Sequence, residues 1–327
     1  MIITYLEHSN GLFKKFTFEC ASYGSALSES LNLTHCGVII GEVSMDEMQK
    51  LSKYGVSKCY IISNQRLNTF IDSAYSSAIA SLANSKAGNI VILPQTYNSR
   101  SIAPRLAVKM KAAMFPGIGT LLERKDAGYQ AKRIAFSNKA IELITTKQSK
   151  CVVSLRANAF GLKEKIVEKV ETEVFDYVPN EQDFALKPIE TKKASDKILL
   201  TEADTVVSGG RGLKDPKNWA MVEELAGLLN AATACSKPVA DIEWRPHHEH
   251  VGQTGLQVSP NVYIAIGISG AIQHLAGISS SKTIIAINND SDAPIFKAAD
   301  YGVLGDAFVI VPQLIELIKA YKNTHNS

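Results

Sequence analysis

The glycine-rich turn Gly267 to Gly270 is the part of the chain whose residue types are best suited to binding a ligand. It follows residues 262–266, an apolar and β-branched run typical of a strand buried on both faces. A helix is expected over residues 271–276, so accessible backbone N–H groups and a helix N-terminus would meet at the turn. Both attract phosphate. Ser269 is expected to cap this helix and to donate to the phosphate.

The residues that follow complete a strand–turn–helix–strand unit. Gln273 and His274 fall in the first turns of the expected helix, with their polar ends free to reach a ligand. Gly277 is expected to stop the helix, and residues 283–287 are expected to form a second buried strand. In open α/β sheets, ligands bind at the carboxyl ends of the strands, where this turn would lie. These residues alone also allow a plain turn that joins a core strand to a core helix.

A second strand, glycine-rich loop and helix occurs earlier in the chain. Residues 205–208 have the composition of a strand, residues 209–212 read Gly-Gly-Arg-Gly, and residues 218–229 have helical spacing. The loop is neither a P-loop nor a complete G-x-G-x-x-G, because Asp215 stands where the third glycine would be. Arg211 adds to it a guanidinium that can contact a phosphate with two parallel hydrogen bonds.

Two other clusters suggest chemistry less directly. Residues 247–250 read His-His-Glu-His, but they lack H-E-x-x-H spacing and a nearby cysteine, so a loop is favoured over a zinc site. Ser269 and His274 suggest a hydrolase, yet G-x-S-x-G would need glycine at position 271, where Ala271 stands. We therefore predict no metal and no catalytic residue.

Composition excludes several classes of protein. The 327 residues suffice for two domains, and 46% hydrophobic with 20% charged residues is ordinary for a globular protein. A net charge of +3 favours neither a nucleic-acid partner nor a membrane surface. No apolar run reaches the roughly 18 residues that span a bilayer. The five cysteines are widely spaced and form no C-x-x-C pair, which is typical of reduced thiols in a cytosol-like compartment.

Expected strands and helices alternate over the first 120 residues or so, which predicts a mostly parallel sheet covered by helices on both faces. Expected strands are 2–6, 37–40, 58–62 and 89–93, and expected helices are 25–33, 45–54, 68–83 and 103–114. Residues 98–105 either begin an anion-binding helix or merely cap one.

From residue 128 the pattern changes to consecutive β segments, which we expect to extend the first sheet with an antiparallel portion. They are 131–136, 140–146, 151–155 and 166–175, with turns at Asn138 and 147–149. The polar stretch 188–195 marks the domain boundary, and the chain ends with a strand at 303–304 and a helix over 311–321. The predicted fold class is α/β, with two doubly wound, mostly parallel-sheet domains over 1–192 and 193–327, the second one Rossmann-like.

The glycine-rich motifs resemble those of the electron transfer flavoprotein alpha subunit. In order and at family spacing they cover most of residues 205–310. The N-terminal half is similar more loosely, in its element order and in Arg100-Ser-Ile-Ala-Pro-Arg105. The matching motifs are Val207-Ser-Gly-Gly-Arg-Gly-Leu213, Val251-Gly-Gln-Thr-Gly255, Gly267-Ile-Ser-Gly-Ala-Ile-Gln-His274, Leu275-Ala-Gly277, Ile285-Ala-Ile-Asn288, Asp292-Ala-Pro-Ile-Phe296 and Ala299-Asp-Tyr-Gly302.

This resemblance implies a function as well as a fold. It implies FAD in the C-terminal domain, and a heterodimer in which the N-terminal domain contacts the electron transfer flavoprotein beta subunit. The implied activity is electron carriage without substrate turnover, from dehydrogenases such as acyl-CoA dehydrogenases to a membrane quinone oxidoreductase. We expect no nucleic acid, no membrane insertion, and a cytoplasmic location, or the mitochondrial matrix for a processed eukaryotic form. Alternatives are an adenine-nucleotide-binding regulatory module without flavin and a nucleotide hydrolase.

The resemblance also implies which residues bind the cofactor. Arg211 would contact it at the first loop, and Ser236 and Lys237 would lie beside the flavin ring, where the family most often has arginine at the second position. Lysine keeps the charge but loses the planar guanidinium. The remaining expected cofactor-binding residues are Val251, Gly252, Gln253 and Thr254 at the ring's N5 edge and the ribityl chain, Ser269, Gly270, Ala271, Ile272 and Gln273 around the pyrophosphate, His274 at the ring's N1–C2 edge, and Asn288 and Asp306 at the adenosine half.

Overall fold

A computed structural model of the chain describes residues 1–136, 139–186, 188–190 and 198–325. These residues divide between two compact units, Met1–Ala135 with Ala140–Lys192, and Lys193–Ser327 with Phe136–Lys139. The expected turn at Asn138 lies outside the described residues, as do residues 191–195 of the expected boundary, so the domain limits remain a prediction. In the part of the chain that is described, no helix is long and apolar enough to cross a membrane.

The first unit contains four α-helices and twelve strands in its described residues. The strands are β1 (Ile2–Tyr5), β2 (His8–Ser9), β3 (Leu12–Phe13), β4 (His35–Ile40), β5 (Lys58–Ile62), β6 (Ile90–Pro94), β7 (Ala113–Ile118), β8 (Glu123–Lys125), β9 (Gly128–Ala135), β10 (Ala140–Thr146), β11 (Cys151–Leu155) and β12 (Glu171–Val174). The helices are α1 (Lys15–Leu31), α2 (Met45–Gln49), α3 (Asp72–Ser85) and α4 (Tyr97–Met110), and short 3-10 turns cover Lys50–Lys53, Gln65–Leu67 and Glu181–Phe184.

The core of the first unit is a seven-stranded sheet in the order β12-β5-β4-β1-β6-β11-β7. Every neighbouring pair in it is parallel. Its central strands are buried along their length because their residues are apolar on both faces, as a sheet covered on both sides requires. The predicted mostly parallel, doubly wound architecture is therefore confirmed for this unit.

The predicted antiparallel extension of this sheet is wrong. Strands β8, β9 and β10 form a separate three-stranded antiparallel sheet, whereas β11 and β12 join the large sheet in parallel. Burial explains the difference. All five residues of β11 are buried, as in a central parallel strand, whereas β9 buries Tyr129 and Ala131 on one face and β10 has no buried residue.

Two helices of the first unit begin earlier than predicted. Helix α1 begins at Lys15, ahead of the predicted 25, and α4 begins at Tyr97, after Thr96, whose side chain accepts from the Ser99 backbone N–H at 3.2 Å. Residues 98–105 therefore lie within α4, and Asn98 and Ser99 belong to its first turn. The prediction that this helix continues to residue 114 is also wrong, because Lys111 adopts a left-handed conformation and β7 follows.

The second unit is a five-stranded, fully parallel sheet in the order β14-β13-β15-β16-β17. This order confirms the predicted Rossmann-like class. Gly277 lies inside α7 instead of stopping it, since the helix continues to Ile278. The elements are β13 (Thr205–Gly209), α5 (Ala220–Leu229), β14 (Ala232–Cys235), α6 (Lys237–Asp241), β15 (Val262–Ile266), α7 (Ile272–Ile278), β16 (Thr283–Asn288), β17 (Tyr301–Leu304) and α8 (Ala307–His325), with 3-10 turns at Arg211–Leu213, Pro216–Trp219, His247–Glu249 and Pro294–Lys297.

Candidate functional site

The second sheet has a topological switch point between β13 and β15. The chain leaves β13 to form β14 on one side and then returns to form β15 on the other. Loops that leave adjacent strands in opposite directions open a crevice at the carboxyl edge of the sheet. The two glycine-rich segments of the sequence are the loops that leave these two strands.

The two loops contact each other backbone to backbone. The Gly210 N–H donates to the Ile266 carbonyl at 2.9 Å, and the Gly212 N–H donates to the Gly267 carbonyl at 3.0 Å. A Cβ at position 210 would lie 2.1 Å from the Gly267 oxygen, and one at position 212 would lie 2.7 Å from the Gly267 Cα. No side chain fits at these points, so the glycines are required for the loops to meet.

Gly270 has a different role in the same turn. Its φ of +87° is left-handed, and a Cβ there would lie 2.4 Å from the backbone nitrogen of Ile295. The neighbouring Ser269 carbonyl accepts from that Ile295 N–H at 2.9 Å. The turn is therefore held against the 3-10 turn Pro294–Lys297.

The predicted capping role of Ser269 is wrong. Helix α7 begins at Ile272, and its N-cap is Ala271, which has no side-chain cap. Ser269 lies two residues before this cap with an exposed side chain, while its carbonyl bonds to Ile295. Ser269 is thus exposed in the loop that follows β15, where a ligand can reach its side chain.

The Val251–Gly255 segment is docked onto α7 and so is brought to the same edge. The Gln253 N–H donates to the Gln273 carbonyl at 2.7 Å, and the Val251 N–H donates to the Cys235 carbonyl at 3.0 Å. A Cβ at Gly277 would lie 2.5 Å from the Gly252 nitrogen, so a glycine inside α7 permits this docking. The side chains of Gln253 and Thr254 are exposed.

Ser236, Lys237 and Arg211 lie at the ends of the neighbouring strands. The Ser236 N–H donates to the Gly209 carbonyl at 3.1 Å, which fixes the end of β14 beside the first glycine-rich loop. Lys237 is 57% exposed and its Nζ lies 3.1 Å from Asp241 Oδ2. Arg211 is exposed in its own 3-10 turn.

Asn288 and Asp306 follow the last two strands, and both have structural hydrogen bonds. Asn288 donates from Nδ2 to the Ile268 carbonyl at 2.9 Å and accepts at Oδ1 from the Asp290 N–H, so it anchors the glycine-rich turn. Asp306 accepts at Oδ1 from the Phe308 N–H at 2.9 Å and caps α8. The Gly305 N–H donates to the Asn288 carbonyl, which links the two positions.

His274 differs from the prediction that its polar end is free. It is only 6% exposed, and its Nε2 lies 3.1 Å from the hydroxyl oxygen of Tyr263 in β15. Burial lowers the pKa of His274 to about 4 and raises the pKa of Tyr263, so the pair is neutral at pH 7. The third position of α7 faces the sheet, and this geometry turns the imidazole inward. Its contact with a flavin therefore remains a proposal.

The histidine-rich loop, residues 247–250, takes part in a buried ion pair through Glu249. Arg245 donates from Nε and Nη2 to the two Glu249 oxygens, each at 2.7 Å, and its guanidinium lies 5.3 Å from the Trp219 ring centroid. Glu249 is 4% exposed, so this pair is desolvated. Across the described ranges no group of three or more His, Cys, Asp or Glu is placed to hold a metal.

The contacts of Tyr263 with His274 and of Arg245 with Glu249 were not predicted from the sequence. Tyr263 looked like one more apolar residue of a buried strand. The spacing of Arg245 and Glu249 was the available signal, because oppositely charged residues four apart can pair. Asp215, noted as a missing glycine, accepts from the Lys217 N–H at 2.9 Å and starts the Pro216–Trp219 turn.

The predicted site residues therefore lie just after the carboxyl ends of strands, in the first turn of α7 or, for residues 251–254, in the segment docked onto α7. Their backbone N–H groups, exposed hydroxyls and amides, and two cations suit a long anionic ligand with a pyrophosphate. The close glycine contacts hold the loops together beside this edge of the sheet.

Comparison with known proteins agrees with this geometry. The family profile described as "Electron transfer flavoprotein domain" matches residues 2–196, and the one described as "Electron transfer flavoprotein FAD-binding domain" matches residues 199–279. The electron transfer flavoprotein subunit alpha of Syntrophomonas wolfei is 34% identical, over 96% of this chain and 98% of its own. The subunit alpha of Bacillus subtilis is 32% identical over 97% of each chain.

A third relative has a different name. The protein called lactate dehydrogenase (NAD(+),ferredoxin) subunit LctC, from Acetobacterium woodii, is 29% identical over all of this chain and 78% of its own. The two profiles together extend from residue 2 to residue 279, and the relatives named as alpha subunits cover 96% and 97% of the chain. The chain belongs to the electron transfer flavoprotein alpha-subunit family.

Proposed function

We propose that this chain binds FAD at the carboxyl edge of its second sheet and serves as the alpha subunit of a heterodimeric electron carrier. The observation that carries the proposal is the backbone contact of Gly210 and Gly212 with Gly267 at the switch point. It lies within the stretch that matches the FAD-binding profile. This contact holds the two loops together at the switch point, which is where nucleotides bind in open α/β sheets.

Bound FAD supplies a ring that accepts and releases electrons, and the protein supplies binding, orientation and charge. We assign the pyrophosphate to Ser269, Gly270, Ala271, Ile272 and Gln273, with Arg211 as the cation. Val251, Gly252, Gln253 and Thr254, with Ser236 and Lys237, would border the ring. Asn288 and Asp306 would border the adenosine half. His274 would lie near the N1–C2 edge of the ring, on the inner side of the glycine-rich turn, since its imidazole is buried.

The Lys237 ammonium is the cation best placed to affect electron uptake. Positive charge beside a flavin ring favours the reduced, negatively charged ring electrostatically. Because Lys237 is 57% exposed and pairs with Asp241, water and that carboxylate weaken its effect. We therefore propose a modest role for this residue in setting the potential.

The partners follow from the family. We propose a heterodimer with an electron transfer flavoprotein beta subunit, contacted by the first unit. Electrons would come from dehydrogenases such as acyl-CoA dehydrogenases and would pass to a membrane quinone oxidoreductase, and the carrier would work in the cytoplasm. The chain would turn over no substrate of its own.

The alternative is an adenine-nucleotide-binding module without flavin, because the same glycine cradle would hold a nucleotide diphosphate. Co-expression with the beta subunit, a visible absorption spectrum and chromatography of the released cofactor distinguish the two. A yellow complex that releases about one FAD per alpha chain is expected. A colourless complex that releases only adenine nucleotide would establish the alternative.

A further inference from the structure

The first unit also has a switch point, and a carboxylate lies in it. Strand β1 is flanked by β4, which the chain forms next, and by β6, which it forms later on the opposite side. Helix α4 begins directly after β6, with Thr96 as its N-cap. This is the position that the glycine-rich turn and α7 occupy in the second unit.

Glu7 follows β1 and points at the start of α4. Its Oε2 accepts from the Thr96 hydroxyl at 2.5 Å and from the Ser99 hydroxyl at 3.4 Å, and its Oε1 accepts from the Asn98 amide at 3.1 Å. Ser99 is fully buried, so its hydroxyl depends on partners within the protein. Three side chains of the first turn of α4 are thus directed at one carboxylate.

The physics of this arrangement is that of anion binding. The N-terminus of a helix carries a partial positive charge, and an anion there is stabilised by this charge and by hydrogen bonds, which are stronger when the acceptor is ionised. Most such sites receive phosphate from a ligand. Here the chain supplies the anion, and the carboxylate uses the donors that a phosphate would need.

The second unit differs at the same position. Glu7 follows β1, and the residues that follow the corresponding strand β13 begin with Gly210 and Arg211; neither these nor the residues from Gly267 to Ala271 include an acidic side chain, and Ser269 is exposed. Two similar switch points therefore differ in one respect, because the first contains its own anion and the second leaves its donors accessible.

We propose that Glu7 is the resident anion of the first unit and restricts nucleotide binding to the second. This goes beyond the proposed function, because it concerns a unit to which no ligand is assigned. The Glu7 carboxylate occupies the N-terminus of α4, so a phosphate can bind only at the corresponding position of the second unit. Removing its carboxylate would leave three donors directed at an empty space that inorganic phosphate can enter.

The test uses the full chain with its beta subunit, FAD-saturated, and compares melting temperatures in phosphate and in chloride at equal ionic strength. We expect Glu7→Ala to lower the melting temperature in chloride by several degrees. Phosphate should then raise the melting temperature of this variant by at least about 3 °C more than that of the wild type. Glu42→Ala is the matched control, since Glu42 is an exposed carboxylate of the same unit and its loss also removes one charge.

A second variant separates charge from volume. Glu7→Gln keeps the shape and fills the space, so it should be less stable than Glu42→Gln and should show no extra response to phosphate. If Glu7→Ala does not fold, Glu7→Gln decides: stability equal to that of Glu42→Gln would overturn the proposal. For a folded Glu7→Ala variant, a phosphate response no larger than that of the wild type would also overturn it. FAD content, measured in parallel, reports on the second unit alone, so failure of the FAD assignment is recognised separately.

Discussion

Single glycines determine the shape of the candidate site, and Gly270 shows why. Its backbone is left-handed, and a Cβ would lie within 2.4 Å of a backbone atom that cannot move aside cheaply. Gly227, in the last turn of α5, has nothing within 4 Å of the position of a Cβ. The same substitution should therefore have opposite effects at the two positions.

We predict that Gly270→Ala destabilises the second unit by roughly 2 kcal/mol or more, through strain and a steric clash. Gly227→Ala should stabilise it by about 0.5–1 kcal/mol, because alanine loses less backbone entropy in a helix. Urea unfolding of both variants beside the wild type checks the pair. Equal effects of the same sign would show that the close contact at Gly270 does not exist.

The Ser269 hydroxyl tests the phosphate assignment without touching the fold. It is exposed, so Ser269→Ala should leave the unfolding midpoint unchanged. If the hydroxyl binds a charged phosphate, FAD binding should weaken by roughly 1.5–3 kcal/mol. Isothermal titration of the flavin-depleted complex with FAD measures this, and an unchanged affinity would remove Ser269 from the pyrophosphate site.

At the scale of elements, sequence patterns predicted strands better than helices. The predicted limits of β5, β10, β11 and β15 agree with the structure residue for residue, because short apolar runs or clear alternation bounded by turn residues define both ends. The first half of α1 was missed because it buries polar residues. Glu19 accepts from the backbone N–H groups of Asn158, Phe160 and Gly161, each at 2.8 Å.

The candidate site, too, was predicted only in part. Its glycine-rich loops were found from sequence because glycine and serine are recognisable wherever a strand ends. The inward orientation of His274 was not found, because it depends on Tyr263, which lies on another element eleven residues earlier. Contacts between residues on different elements are set by packing, which periodicity does not encode.

The Arg245–Glu249 pair gives a prediction for the loop that it holds. Arg245→Met leaves a buried carboxylate without its main partner, so we expect a loss of about 3–5 kcal/mol in unfolding free energy. The double variant Arg245→Met with Glu249→Leu should recover most of it, because two apolar side chains leave no unpaired charge. Thermal and urea unfolding of the single and double variants test this.

Glu223 provides the control for that experiment. It also pairs with Arg245, at 3.0 Å, but its side chain is 50% exposed, so Glu223→Ala should cost less than about 1 kcal/mol. If Glu223→Ala were as damaging as Arg245→Met, burial would not be what makes the Glu249 pair important.

At the scale of the whole molecule, two histidines make stability depend on pH, His35, which is half-buried, and His274, which is buried. Burial lowers the pKa of His35 in the first unit to about 4, and that of His274 in the second unit to about 4. An imidazole with its ordinary pKa of 6.5 takes up a proton first in the unfolded chain. Each histidine therefore contributes full stability above pH 6.5, and this is lost as the pH falls towards 4, by at most about 3 kcal/mol each.

We predict that His35→Asn and His274→Asn each reduce the loss of unfolding free energy between pH 7 and pH 5. Both should also be less stable at pH 7, since His35→Asn removes a partly buried hydrogen bond to Thr4 and His274→Asn removes a buried one to Tyr263. His248→Asn, on an exposed histidine, should leave the pH dependence as it is in the wild type. Urea unfolding at several pH values measures this. If the unfolding free energy of both variants changed with pH as steeply as that of the wild type, these imidazoles would not resist protonation.

The contact of Gly210 and Gly212 with Gly267 has a consequence for how the protein can change over generations. Most tight contacts involve a side chain, so a harmful replacement on one side can be compensated by a smaller residue on the other. Here both sides are already backbone, and nothing smaller than glycine exists. No second substitution in either loop can therefore restore the spacing after one of these glycines is lost. Related sequences can therefore differ in the cations and hydroxyls around the crevice, but we expect those that keep this contact to keep all three glycines.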